Sequence, residues 1–209
     1  MVMFKNYPSL LSGGFSFYGH KYKKGGKLMK KPLFSTKTIV ATGLGAALFL
    51  VLFMFVKIPS PVPETNIQIA YGLSAFFGAL FGPIAGGLTA FIGHALNDFL
   101  SYGSCWWSWI IASGVSGAIS GIAYFKMDLE HGKKPGVAFI VINVIAQAVA
   151  WLLVAPVLDI VMYGEPSDLV FLQGVTAFII NAIASCVVGF ILCLVYSSTK
   201  TSKGSLDKE

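Results

Sequence analysis

The sequence predicts an all-α integral membrane protein with six transmembrane helices and both termini on the cytoplasmic side. Of its 209 residues, 56% are apolar and only 11% are charged, whereas about a quarter are charged in a soluble domain. Mean hydropathy is +0.75. The apolar residues also form continuous runs, which contradict the alternating pattern of barrel strands and leave helices as the structure that satisfies its backbone inside lipid.

Six apolar segments follow one another along the chain. Their lengths are to be compared with the roughly 20 residues that a helix needs to cross a bilayer. The second segment is short and joins the third through Gly82-Pro83, a helix-breaking turn. The sixth is long enough to tilt or to extend beyond the lipid. The predicted segments are 39–56, 67–81, 84–100, 106–125, 137–158 and 169–196.

The distribution of lysine predicts the orientation. All 15 basic residues are lysine, and with both termini on one side that side holds every lysine except Lys57. Because cytoplasmic segments carry the positive charge, both ends are predicted to be cytoplasmic. The six-helix membrane domain is predicted at residues 29–200, between basic cytoplasmic tails at 1–28 and 201–209. Since Met29 begins a sequence that resembles a bacterial start, a second hypothesis makes 1–28 a non-native extension.

Composition argues against several other functions. A nucleic-acid reader normally uses arginine, which is absent here, so no nucleic-acid partner is expected. Cys105, Cys186 and Cys193 fit no disulfide or zinc framework, and no cofactor or metal is expected. The chain has no Gly-Lys-Ser/Thr phosphate loop, so any dependence on ATP must come from another chain.

An acid or lysine at the centre of a span costs about 2.5 to 3.5 kcal/mol, so the positions of polar side chains are informative. In this chain they gather toward the predicted outer half. They predict an outward-open pocket in which aromatic rings cover a flat solute and amides orient it. Amides without buried charge suit a neutral or mildly polar ligand. The alternative is an interfacial tryptophan belt with amides bonding between helices. The predicted substrate-binding residues are Asn66, His94, Asp98, Trp106, Trp109, Asn143, Gln147, Trp151 and Asn181, of which Asn143, Gln147 and Trp151 share one helix face by their spacing.

His94 and Asp98 stand four residues apart and allow two other functions. One is a stand-alone, proton-coupled secondary transporter that uses this pair as a relay, and the other is a membrane enzyme that uses it as acid and base. A metal site needs three or four ligands, and the remaining histidines, His20 and His131, fall in the tail and a loop. An ion pair that shapes the outer loop is favoured, and no enzymatic activity is expected.

Small residues recur four apart in the first segment, as Ala41 with Gly45 and Gly43 with Ala47. Such spacing lets helices approach closely, either within the chain or at a partner interface.

Several motifs resemble one family. They resemble the bacterial substrate-binding S components of energy-coupling factor (ECF) transporters, in the riboflavin-type branch. The resemblance extends over about residues 29–196, and the stretch 61–71 fits it too. The motifs are Gly82-Pro83, Gly93-His94-Ala95-Leu96 with Asp98, Tyr102-Gly103-Ser104, Trp106-Trp107-Ser108-Trp109 and Ser113-Gly114.

The resemblance implies a multi-pass subunit of a bacterial cell membrane importer, without enzymatic activity of its own. It implies that the subunit binds a vitamin or vitamin precursor, riboflavin-like or thiamine-precursor-like, outside the cell. The partners would be a transmembrane coupling subunit and two ATPases. By the same resemblance Ala41, Gly45 and Ala47 would face the coupling subunit, with glycine at 45 where the family motif has alanine. The ligand would lie near Trp106, Trp109, Gln147, Trp151 and Asn181.

Overall fold

The computed structural model describes residues 35–200 in full, together with the backbone of two antiparallel strands, β1 (Tyr18–Lys24) and β2 (Lys27–Pro32). The rest of the predicted tail 1–28 and all of the tail 201–209 lie outside the described residues. The predicted division into tails and a membrane domain therefore stays a prediction.

Residues 35–200 are nearly all helical. A π-helical segment, Val149–Val154, joins the helix Val137–Ala148 to the helix Ala155–Tyr163, so that residues 137–163 run as one continuous helix. Two 3-10 turns, Gly121–Phe125 and Leu129–His131, follow the helix Trp107–Ser120. The remaining elements are α1 (Thr36–Phe55), β3 (Lys57–Pro59), β4 (Asn66–Gln68), α2 (Ala70–Phe81), α3 (Pro83–Tyr102), α4 (Trp107–Ser120), α5 (Val137–Ala148), α6 (Ala155–Tyr163) and α7 (Ser167–Ser198).

Within residues 35–200, four helices are long and apolar enough to cross a membrane. They are α1, α4 with its 3-10 extension, the helix of residues 137–163, and α7. Helix α2 has only 12 residues, and α3 carries buried His94, Asn97 and Asp98. The prediction of a helical membrane protein is confirmed in that these four helices could cross a membrane. The six-span topology stays a prediction.

The start of the second predicted helix is wrong by three residues. Residues 66–68 form β4 and pair antiparallel with β3, so α2 begins only at Ala70. The hairpin is tied to α7, because Gln173 Nε2 donates a hydrogen bond of 3.2 Å to the Pro63 carbonyl. A polar hairpin therefore lies at one end of the helical bundle.

Glycines let α3 and α4 touch backbone to backbone. A Cβ on Gly86 would lie 2.4 Å from the Gly117 carbonyl oxygen, and a Cβ on Gly117 would lie 2.2 Å from that of Gly86. Real Cβ atoms do not approach so closely, so only glycine fits at this crossing. The contact fixes how α4 presents the tryptophans at its amino end.

The π-helical segment lies next to Pro156, in the first turn of α6. Proline lacks an N–H, and its ring collides with the carbonyl four residues earlier, so a regular helix cannot continue through it unchanged. Here the helix widens over one turn instead of breaking. Helix α7 packs directly on this turn, since a Cβ on Gly174 would lie 2.3 Å from the Trp151 carbonyl oxygen.

Candidate functional site

A cavity of about 450 Å³ opens at the end of the bundle that carries the β3–β4 hairpin. This is the size of a pocket for a small organic ligand. Aromatic, amide and carboxylate side chains all contribute to its wall. Its lining is Phe53, Lys57, Glu64, Thr65, Asn66, Gln68, Tyr71, His94, Asn97, Asp98, Tyr102, Ser104, Trp106, Trp109, Trp151, Asp159, Glu165, Leu169, Gln173, Ala177 and Asn181.

Seven of the nine residues predicted to bind substrate line this one cavity. They come from five separate parts of the chain, which only the folded bundle brings together. The seven are Asn66, His94, Asp98, Trp106, Trp109, Trp151 and Asn181.

The other two, Asn143 and Gln147, are fully buried in the bundle and do not line the cavity. Asn143 Nδ2 donates to the Phe139 carbonyl at 2.8 Å. Gln147 Oε1 accepts a hydrogen bond of 2.6 Å from the indole Nε1 of Trp151. Gln147 and Trp151, four residues apart, are thus in direct contact as the spacing predicts, but of the three residues of this stripe only Trp151 lines the cavity.

Gln147 acts on the site through Trp151. Gln147→Leu removes the acceptor of the buried indole N–H, and leaving such a donor unpaired costs about 1 to 3 kcal/mol. We expect solute affinity to fall about 5- to 20-fold, measured by isothermal titration calorimetry. In a Trp151→Phe background, which has no indole N–H, the same substitution is expected to change affinity little. An equal loss in both backgrounds would contradict a role through Trp151.

The aromatic wall is built from rings on four helices. The Trp109 and Trp151 rings stack with their centroids 5.5 Å apart, and Tyr71 meets Trp151 edge to face at 5.2 Å. Phe53 lies beside His94 at 4.6 Å. Rings in these arrangements hold one another in place and present flat apolar surface to a ligand.

His94 is held from both sides of its ring. Its Nδ1 lies 2.6 Å from Ser113 Oγ, which also bonds the Tyr71 hydroxyl at 2.9 Å. Its Nε2 lies 3.4 Å from Asp98 Oδ1. Asp98 also accepts from the backbone N–H of Trp106 at 3.2 Å and from Asn97 Nδ2 at 3.1 Å. The predicted pair thus exists, and it ties α3 to the loop before α4.

Asp159 is one of the cavity-lining residues that the sequence prediction omits. Its carboxylate is 2% exposed and accepts hydrogen bonds from Trp106 Nε1 at 2.6 Å, from Trp109 Nε1 at 2.7 Å and from Ser108 Oγ. One carboxylate therefore orients two tryptophans of the cavity wall. The sequence could have indicated Asp159 by its position, because it directly follows the predicted segment 137–158. The helix in fact continues through it to Tyr163.

The expectation of a lining without buried charge is wrong. Asp98 and Asp159 are 5% and 2% exposed, and both line the cavity. Each carboxylate is stabilised by several hydrogen bonds, which is how a folded chain accommodates a buried acid. Within residues 35–200, no three His, Cys, Asp or Glu side chains are placed to hold a metal ion together.

The predicted partner surface needs one correction. Gly45 is buried, and a Cβ there would lie 2.8 Å from Thr89 Oγ1 and 3.1 Å from the Phe77 ring, so this glycine packs inside the chain. Ala41 is half-buried against the core. Gly43 and Ala47 are exposed, and a Cβ on Gly43 would meet nothing within 4 Å. The exposed small pair of α1 is therefore Gly43 and Ala47.

Two bacterial proteins are similar to this chain over their whole length. A UPF0397 protein of Enterococcus faecalis is 48% identical over 182 residues, which cover 86% of this chain and 100% of the relative. A UPF0397 protein of Staphylococcus aureus (strain Newman) is 45% identical over 184 residues, covering 87% and 100%.

Among solved structures, the fold is similar to that of FolT in its crystal structure with folic acid. The TM-score is 0.56 at 19% sequence identity, over 75% of this chain and 94% of FolT, which shows a shared fold. The family model described as "ECF-type riboflavin transporter, S component" matches residues 33–198. The chain therefore belongs to the S component family of ECF-type riboflavin transporters, a family of transporter subunits and not of enzymes.

Proposed function

We propose that this chain is the subunit of an ECF importer that binds a vitamin or vitamin precursor outside the cell. We further propose that it delivers the solute through a transmembrane coupling subunit driven by two ATPases. The observation that carries the proposal is the cavity of about 450 Å³, walled by rings and amides, within the S component fold. A riboflavin-like or thiamine-precursor-like solute has the flat ring that such walls accommodate.

Binding begins at the hairpin end of the bundle. A flat solute entering there meets the stacked Trp109 and Trp151 rings, while Asn66 on β4 and Asn181 on α7 supply amide groups on two other sides. Residues of the β3–β4 hairpin form part of the lining, so the hairpin covers a bound solute. No covalent step is required of any of these residues.

The charge at the opposite end supports a cavity that faces outward. The Lys37 Nζ lies 2.8 Å from Glu130, and Gly132 lies beside Lys200, so the start of α1, the loop after α4 and the end of α7 meet at one end. This end also carries Lys126, Lys133 and Lys134, whereas Lys57 lies at the cavity. By the preference of cytoplasmic segments for lysine, the lysine-bearing end is cytoplasmic and the cavity end extracellular.

The exposed small residues of α1 provide a test of the partner interface. Gly43→Leu and Ala47→Leu place a large side chain on a surface where close helix approach requires a small one. We expect either substitution to lower uptake at least about tenfold, with solute binding in detergent unchanged. The matched control is Ala138→Leu, which enlarges an exposed alanine on α5. An equal loss of binding, or full uptake in both α1 variants, would contradict this interface.

Uptake measurements test the proposed function as a whole. Vesicles that contain the chain with its coupling subunit and ATPases are expected to accumulate radiolabelled vitamin when ATP is supplied. Vesicles with the chain alone should bind the vitamin without accumulating it, whether or not a pH gradient is imposed. Accumulation by the chain alone, driven by the gradient and lost in His94→Ala, would instead support the proton-coupled transporter.

A further inference from the structure

The wall of the cavity carries more negative than positive charge. Four carboxylates contribute to it, Glu64, Asp98, Asp159 and Glu165, against Lys57 and the imidazole of His94. The two buried carboxylates differ in their partners. Asp98 has His94 at 3.4 Å, whereas no lysine or histidine nitrogen among residues 35–200 lies within 4.0 Å of Asp159.

Asp159 is therefore a buried acid whose hydrogen-bond partners are all neutral. Two indole N–H groups and one hydroxyl orient and stabilise the carboxylate, but they do not compensate its charge. A carboxylate accepts about four hydrogen bonds, so an acceptor position remains beside the cavity. Buried charges in proteins are usually paired, so a cationic ligand in the cavity would complete the pairing of Asp159.

Unpartnered amide oxygens give an independent observation. Gln68 Oε1, Asn97 Oδ1 and Asn181 Oδ1 are buried without a hydrogen-bond partner, and all three side chains line the cavity at 5%, 3% and 3% exposure. Buried polar atoms in native proteins are nearly always satisfied. A ligand that donates several hydrogen bonds would satisfy these three acceptors once their amides turn toward the cavity that the side chains line.

The aromatic wall suits the same ligand. The electron-rich face of an indole attracts a cation within about 6 Å of the ring, more strongly when the site is shielded from water. Trp106, Trp109 and Trp151 all line the cavity, and the first two donate their N–H groups to Asp159. The tryptophans and the carboxylate thus line the same cavity, and each favours a positively charged ligand there.

We propose that the solute bound in this cavity is a positively charged, flat nitrogen heterocycle whose charge is compensated by Asp159 and whose N–H groups are accepted by the amide oxygens. This inference rests on the proposed function, since it names the class of solute that the S component takes. It replaces the neutral ligand that the sequence alone predicts.

Paired probes test the charge directly. The purified full chain is titrated with 1-methylnicotinamide, a pyridinium cation, and with nicotinamide, its neutral counterpart, and then with thiamine, a thiazolium cation, and riboflavin, which is neutral. The tightest binder is expected to be a cation, by at least about tenfold over the neutral probes. A neutral probe that binds best would overturn this inference and leave vitamin binding intact. If no probe binds and no solute co-purifies, the inference and the proposed function both fail.

Asp159→Asn separates charge from mere positioning. Asparagine loses the charge and keeps one acceptor oxygen, but its NH2 group faces the second indole N–H, so we expect both probes to bind more weakly and the cation to lose about tenfold more affinity than the neutral probe. Asp168→Asn, which neutralises an exposed carboxylate at the start of α7, is the control and should leave both unchanged. Equal losses for cation and neutral probe would assign Asp159 a structural role only and overturn the proposal.

Discussion

Trp151→Ala is expected to lower the affinity for the solute about 100-fold, which corresponds to about 2.7 kcal/mol. The indole is 1% exposed, stacks on Trp109 at 5.5 Å, meets Tyr71 at 5.2 Å and lines the cavity. Its removal takes away a wall of the cavity and frees its neighbours to move. Isothermal titration calorimetry on purified protein measures the loss.

The alanine variant also leaves a void, which costs about 3 to 5 kcal/mol of stability, so two further variants separate binding from folding. Trp151→Phe retains most of the volume and is expected to lose about tenfold in affinity. Trp107→Ala removes a tryptophan that is 44% exposed and does not line the cavity, and it should bind normally. If a folded Trp151→Phe and the Trp107 control bind alike, Trp151 does not contact the solute.

Gly117→Ala is expected to destabilise the fold by about 3 kcal/mol, the upper end of the usual cost of overpacking. The added Cβ would lie 2.2 Å from the Gly86 carbonyl oxygen, and the neighbour is backbone that cannot rotate away. Gly86→Ala has the reciprocal conflict at 2.4 Å and should behave alike. Thermal unfolding in mild detergent measures both.

Gly43→Ala is the matched control for these two variants. It also lies inside a helix, but its Cβ would meet nothing within 4 Å. Because alanine has the higher helix propensity, by about 1 kcal/mol, the control should be as stable as the original chain or more so. Wild-type stability of Gly117→Ala would mean that α3 and α4 do not cross at these glycines.

The sequence predicts the helices well because apolar runs and helix breakers are local signals. Helix α2 ends and α3 begins at the Gly82-Pro83 turn, which the sequence marks clearly. The strand at residues 66–68 is not predictable in this way, because it depends on pairing with residues 57–59. The widened turn at Val149 depends on how the chain accommodates Pro156, which regular spacing does not show. Spacing places Gln147 beside Trp151 correctly, but it does not show that only Trp151 lines the cavity.

The site is predictable to the extent that polar residues in apolar helices are rare. This rule finds His94, Asp98 and Asn181, and the same region supplies the tryptophans. It does not find Asp159, whose importance comes from three donors on another part of the chain. The family resemblance implies a partner surface at Gly45, but this glycine packs inside the chain. Small spacing alone does not tell packing within the chain from packing against a neighbour.

Native mass spectrometry of the full chain, released from mild detergent, tests the central claim that this cavity holds a solute without help from ATP. After incubation with a panel of vitamins, the spectrum is predicted to show one solute per chain, and the same adduct is predicted to be lost in Trp151→Ala. A spectrum that shows only the bare chain at every solute concentration, or an adduct that persists unchanged in Trp151→Ala, would contradict it.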